Sequence, residues 1–181
     1  MRKALYMMGI LDDSDLEWMA SQGTEQQVPA GTMLIQKGSP IGSLFIILDG
    51  KLSIWPAPGR SKDTVSLFCG EILGEMSFVD SRLPLASVGA ADDSHVLAIP
   101  RDKLREKLEQ DSGFAARFYR AVAVFLADRF RTTVAHLGYA DVQDEGLEDE
   151  LDEAWMNDIS MGAARFEKLL KKLNAKNAYG S

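Results

Sequence analysis

Gly70-Glu-Ile-Leu-Gly-Glu-Met-Ser-Phe-Val-Asp-Ser-Arg-Leu-Pro-Leu-Ala-Ser-Val88 is the stretch whose reading decides the fold. It carries two Gly-Glu pairs, Gly70-Glu71 and Gly74-Glu75. Between them and Pro84 there is room for about one helical turn, and the small residues Ala86 and Ser87 lead into a strand. Backbone N–H groups exposed at a short helix start can hold an anion. A glutamate beside them accepts hydrogen bonds from sugar hydroxyls, and glycines let a ligand approach the main chain. The stretch therefore reads either as a grip for a sugar phosphate or as a plain strand–turn–strand connection.

On its N-terminal side the chain is a series of short apolar runs. Ser14 can cap a first helix, with Glu17 completing a capping box. Met33-Leu34-Ile35, Leu44 to Leu48, Leu52 to Trp55 and Thr64 to Cys69 read as strands, with a hairpin turn at Asp49-Gly50. Beyond the central stretch, Leu85 to Ala90 and His95 to Ile99 add two more. About seven or eight short strands at this spacing indicate an antiparallel β-roll or jelly roll. The predicted fold is mainly β with flanking helices.

The helices follow. Arg101 to Leu108 is short. Gly113 to Leu137 is long, lacks internal glycine and proline, and is stopped by Gly138. At about 1.5 Å per residue it spans roughly 37 Å. Its apolar residues form two rows, Phe114, Phe118, Ala121, Phe125 and Val122, Leu126, Phe130, Val134, Leu137. One core needs one stripe. Two stripes indicate a homodimer through helix 113–137, or a helix buried on two sides within one chain. Residues 1–137 are thus one domain. Residues 138–158 form an acidic linker, with no Lys or Arg from Asp141 to Asp158. Residues 159–176 form a basic amphipathic helix, with Met161, Phe166, Leu169, Leu170 and Leu173 among Arg165, Lys168, Lys171, Lys172 and Lys176. Its apolar face can dock on its own domain, on the linker or on a protein partner.

Composition narrows the function classes. The 181 residues are 46% hydrophobic and 26% charged, with a net charge of −7. That balance opposes non-specific attraction to nucleic acid or anionic membranes. The one cysteine, Cys69, excludes an internal disulfide and reads as a buried thiol. His95 and His136 lie far apart without ligand spacing, so no metal site and no catalytic residues are expected. A jelly-roll metalloenzyme of cupin type is disfavoured on the same ground. No secretory signal or membrane span is read, which places the protein in the cytoplasm.

The order of elements resembles the cyclic nucleotide-binding domain, the sensor module of the catabolite activator protein and of the protein kinase A regulatory subunit. The likeness covers residues 10 to 137: a leading helix, a strand with Gly31 and Gly38, Leu48-Asp49-Gly50-Lys51-Leu52, a Gly-Glu turn, a closing strand and a long dimerisation helix. It implies that Leu73-Gly74-Glu75-Met76-Ser77-Phe78 opens a phosphate-binding cassette, with Glu75 on the ribose hydroxyl and Gly74, Met76 and Ser77 beside it. It also implies that Thr133 contacts a purine from the long helix. One departure matters. Where the family carries an arginine on the cyclic phosphate, this chain has Pro84, followed by Leu85-Ala86-Ser87. Arg82 stands two residues early. Loss of a charge-assisted bidentate contact forfeits about 1.5 to 3 kcal/mol. The candidate ligand-binding set is therefore Gly74, Glu75, Met76, Ser77, Arg82, Leu85, Ala86, Ser87 and Thr133. It is expected to bind cAMP or cGMP weakly, or another nucleotide. No cofactor is required.

Relatives that regulate transcription continue into a winged helix-turn-helix. The residues after 140 fit no recognition helix, so direct DNA binding is not expected. The resulting expectation is a non-catalytic regulatory module, a dimer that senses a nucleotide-type ligand and signals through its C-terminal tail. The alternatives are a ligand-free interaction or scaffold protein on the same fold, and a DNA-associated transcription regulator.

Overall fold

A computed structural model describes residues 8–55, 65–136 and 153–179. Eight strands form two four-stranded antiparallel sheets. They are β1 (Thr24–Val28), β2 (Met33–Ile35), β3 (Ser43–Asp49), β4 (Lys51–Trp55), β5 (Val65–Phe68), β6 (Ile72–Leu73), β7 (Ser87–Ala90) and β8 (Ser94–Pro100). One sheet has the order β1-β8-β3-β6 and the other β2-β7-β4-β5. The mainly β roll with flanking helices is as the sequence reads.

Side-chain alternation along β3 creates two cores. Phe45 and Ile47 face the interior of the roll, where they meet Leu52, Leu67, Val88 and Val96. Leu44, Ile46 and Leu48 face the other way, into a helical layer with Leu16, Met19, Phe114 and Phe118. Burial on both faces explains the unbroken apolar run at Leu44–Leu48. The hairpin at Gly50 has φ +87°, and a Cβ there would lie 2.6 Å from the Asp93 carbonyl, so only glycine closes it.

Besides helical residues 8–10, five helices are described: α1 (Asp13–Gln22), α2 (Glu75–Asp80), α3 (Arg101–Gln110), α4 (Ser112–His136) and α5 (Glu153–Tyr179). The cap of α1 is Asp12, not Ser14. Its carboxylate accepts from the Asp15 N–H and the Asp15 carboxylate accepts from the Asp12 N–H, 2.9 Å each. Ser14 instead donates to Asp12. On α4 the first apolar row, Phe114 to Phe125, is buried against the roll. The second row starts buried at Val122, is 70% exposed at Phe130 and half-buried at Val134.

Two strands escape the sequence reading. β1, Thr24-Glu25-Gln26-Gln27-Val28, is too polar to show apolar alternation. It forms because it pairs along its whole length with β8, from Thr24↔Ala98 to Val28↔Ser94. β6 is two residues, held by Phe45↔Leu73 and Ile46↔Ile72. The C-terminal helix also starts earlier than expected, at Glu153, inside the stretch read as linker. Acidic residues suit a helix N-terminus. Its Phe166, Leu169 and Leu173 are buried in the helical core. Arg165 and Lys168 pair with Asp13 of α1, and Lys172 with Glu17. Readings that fall on Thr64, Leu137, Gly138 and residues 139–152 lie outside the described residues.

Candidate functional site: the cassette cavity

The central stretch is pinned at both ends by backbone bonds. The Gly70 N–H donates to the Ile47 carbonyl and the Ile47 N–H to the Glu71 carbonyl, 2.7 and 3.0 Å. After β6 the chain turns at Gly74, with φ +84° and a virtual Cβ 3.3 Å from the Ser43 carbonyl. That turn starts the six-residue α2. Arg101, at the start of α3, donates to the carbonyls of Ile41 and Ser77 and stacks over Phe78. The loop after α2 is tied back too. The Gly38 N–H donates to the Pro84 carbonyl and the Lys37 N–H to the Ser87 hydroxyl, both at 3.0 Å.

These elements enclose a cavity of about 250 Å³. Its inner wall is aliphatic, from Ile35, Ile54, Leu67, Leu73 and Val88. Its outer wall is the cassette, Gly74 to Ser77 and Arg82 to Ala86, and Arg129 of α4 closes one side. Of the residues proposed from sequence, Gly74, Glu75, Met76, Ser77, Arg82, Leu85 and Ala86 all line it. Ser87 and Thr133 do not. The Ser87 hydroxyl is engaged by Lys37 as described. The Thr133 hydroxyl donates back to the Arg129 carbonyl, 2.8 Å away, and the residue is exposed.

Arg129 is the residue that sequence reasoning missed. Glu75 is 2% exposed, and Arg129 Nη1 donates to its Oε1 at 2.7 Å. The same guanidinium reaches the Ile72 carbonyl at 3.4 Å and sits 4.3 Å from the centre of the Phe125 ring. Burial pushes the Glu75 carboxyl above its ordinary value of 4.5, while Arg129 pulls the other way. A signal was present: Thr133 was placed near the site, and Arg129 stands one helical turn before it. A glutamate in such apolar surroundings also demands a cation.

Glu75, expected on a sugar, is therefore already engaged by Arg129. On the side where a phosphate was expected, no buried cation stands among the described residues. Arg82 is 84% exposed at the side chain and lies 3.9 Å from the Asp80 carboxylate. Pro84 has no N–H to offer, and its carbonyl is taken by Gly38. Among the described residues, no group of three His, Cys, Asp or Glu side chains is placed to hold a metal ion. Cys69 donates to the Leu48 carbonyl at 3.0 Å, and burial pushes its thiol pKa up, so the thiol is protonated at neutral pH. None of the helices described is long and apolar enough to cross a membrane.

The cyclic nucleotide-binding domain family matches residues 25–111. The chain is 27% identical over 120 residues to the anaerobic regulatory protein of Bacillus subtilis, covering 64% of this chain and 50% of that protein. It is 23% identical over 128 residues to lysophospholipase nte1 of Aspergillus fumigatus, covering 70% of this chain and 8% of that protein. The chain thus spans half or less of these relatives. Among solved structures, a cyclic nucleotide-binding domain from Methylobacillus flagellatus superposes with a TM-score of 0.66 at 21% identity, covering 78% of this chain and 84% of that one. The family match and the superposition agree: residues 25–111 match the cyclic nucleotide-binding domain family, and the chain has the fold of a solved domain of that kind.

Proposed function

We propose that this chain is a non-catalytic, cytoplasmic regulatory module that reads the occupancy of the cassette cavity through α4, dimerises through the exposed face of that helix and reports through α5. The observation that carries the reading is the Arg129–Glu75 pair. It ties the cassette directly to α4. Nearer its N-terminus, α4 reaches α1 through Arg117, which donates to Asp15 at 2.6 and 2.8 Å. α1 in turn is gripped by α5 through Asp13, whose partners are Lys168 at 2.6 Å and Arg165 at 3.1 Å. An occupant that draws Glu75 away from Arg129 frees the end of α4, and the two further ion pairs pass the change to α5. Cyclic nucleotides are weak occupants in this reading, because the cassette offers their phosphate no buried cation. The dimer rests on Phe130, left 70% exposed beside half-buried Leu126 and Val134.

Hydrogen exchange tests the relay in ligand-free protein. Arg129→Met should speed exchange at residues 13–22 of α1 and 160–174 of α5 as well as at the cassette. Change confined to the cassette and α4 contradicts the relay, and favours a scaffold that needs no ligand.

A further inference from the structure

The cavity has a largely aliphatic wall and its buried charges are already paired, and this bears on its occupant. Its inner end presents only aliphatic side chains, among them Ile35, Ile54, Leu67 and Val88. Polar character is confined to the cassette side, the rim and Arg129 of α4. At the rim Leu83 is 52% exposed and Leu85 73%, an exposed apolar edge continuous with the apolar interior. No buried side-chain nitrogen or oxygen among the described residues lacks a hydrogen-bond partner. Among the buried side chains of the cavity wall, a phosphate or a set of hydroxyls finds donors only by breaking pairs such as Arg129–Glu75, and each broken pair leaves a polar group unsatisfied. An apolar chain breaks none. The rim also carries Arg82, whose guanidinium is the most accessible charge on the cavity and only loosely held by Asp80 at 3.9 Å.

We propose that the cassette cavity takes a medium-chain aliphatic compound with one polar end, the chain against Ile35, Ile54, Leu67 and Val88 and a carboxylate or similar end at Arg82. This rests on the regulatory reading above and specifies its ligand. Complementarity is between one apolar depth with one polar rim and a molecule built the same way. Each methylene withdrawn from water adds a roughly constant increment, so affinity should climb about fourfold per methylene until the cavity is full.

The test is calorimetric titration of the full chain with hexanoate, octanoate and decanoate below their micelle-forming concentrations, with 1-decanol and cAMP alongside. The expected result is one site per chain, affinity rising with chain length, and cAMP the weakest. Ala86→Phe, which fills the cavity from its partly exposed cassette wall, should lower decanoate affinity at least tenfold. Arg82→Gln, at an exposed side chain, should weaken decanoate about two- to fivefold and leave 1-decanol unchanged. Circular dichroism confirms that both variants are folded. Affinity independent of chain length, no loss in Ala86→Phe, or tighter binding of cAMP than of decanoate overturns the proposal. Because the relay is read by exchange in ligand-free protein, its failure and the failure of this ligand class give different results.

Discussion

Helix α4 carries an arginine near each end, and each reaches a carboxylate that is almost fully buried. Arg117 holds Asp15; Arg129, about 18 Å further along the axis at about 1.5 Å per residue, holds Glu75. The two pairs differ in what surrounds them. Asp15 accepts two bonds from Arg117 and a third from the Asp12 N–H. It therefore fixes α1 against α4 with its acceptors filled, and the Arg117 guanidinium is held firmly protonated by that carboxylate. Glu75 receives one side-chain bond, from Arg129, beside backbone N–H groups of Glu75 and Met76, and lines a cavity of about 250 Å³. A carboxylate with two side-chain bonds in a packed contact resists exchange of partners, whereas one with a single side-chain partner beside open space can change it. In the proposed reading the first pair belongs to the scaffold and the second to the sensor.

The largest expected effect is on the scaffold pair. Asp15→Ala removes the buried partner of Arg117, leaving it only the half-exposed Asp12 at 3.0 Å, together with half of the capping box, and should lower the unfolding free energy by about 3 kcal/mol in urea denaturation. An equal loss for Glu75→Ala would erase the contrast. Next comes the exposed face of α4. Phe130→Asp should weaken self-association at least thirtyfold in sedimentation equilibrium while leaving the thermal transition of the monomer unchanged. A protein that is monomeric before the change contradicts the dimer.

Glu75→Gln should cost about 1 kcal/mol or less at neutral pH, but it should alter the pH dependence. The Glu75 pKa in the folded protein is raised, so the native state binds its proton more tightly than the unfolded chain. Its favourable contribution is full below the ordinary value of 4.5 and is lost as pH climbs from there through the raised pKa. Stability of the parent relative to Glu75→Gln should therefore decline with rising pH across that window; a difference independent of pH refutes the assignment. Asp13 behaves in the opposite sense. Lys168 and Arg165 hold its carboxyl below the ordinary 3.8, so its contribution is lost as pH falls. The smallest effect belongs to this exposed pair: Lys168→Ala should change stability by less than about 0.5 kcal/mol. A larger loss would make the α1–α5 contact part of the scaffold.

The roll was readable because Leu44–Leu48 and its neighbours are apolar runs cut by turn residues, and because Asp49-Gly50 supplies the positive φ that a tight hairpin needs. β1 was not, since Glu25, Gln26 and Gln27 gain their strand from pairing with β8 rather than from burial. Gly74 to Ser77, Arg82, Leu85 and Ala86 were readable as neighbours, and they line one cavity. Their pairing was not. Arg129 looks like any charged residue on a long helix until the fold brings it to Glu75, and Ser87 looks like a ligand until the Lys37 N–H is seen to occupy it. The docking of Phe166, Leu169 and Leu173 was one of three options that helical spacing leaves equal; tertiary packing on α1 selects among them.

The central claim is that this cassette keeps the cavity and the glutamate of its family but has lost the clamp for an anionic phosphate. Calorimetric titration of cAMP into the parent protein and into Pro84→Arg tests it most directly. Restoring a cation at position 84 should strengthen binding about ten- to a hundredfold over a weak parent, the value of one charge-assisted contact. Micromolar binding of cAMP by the parent, with no gain in Pro84→Arg, would contradict it.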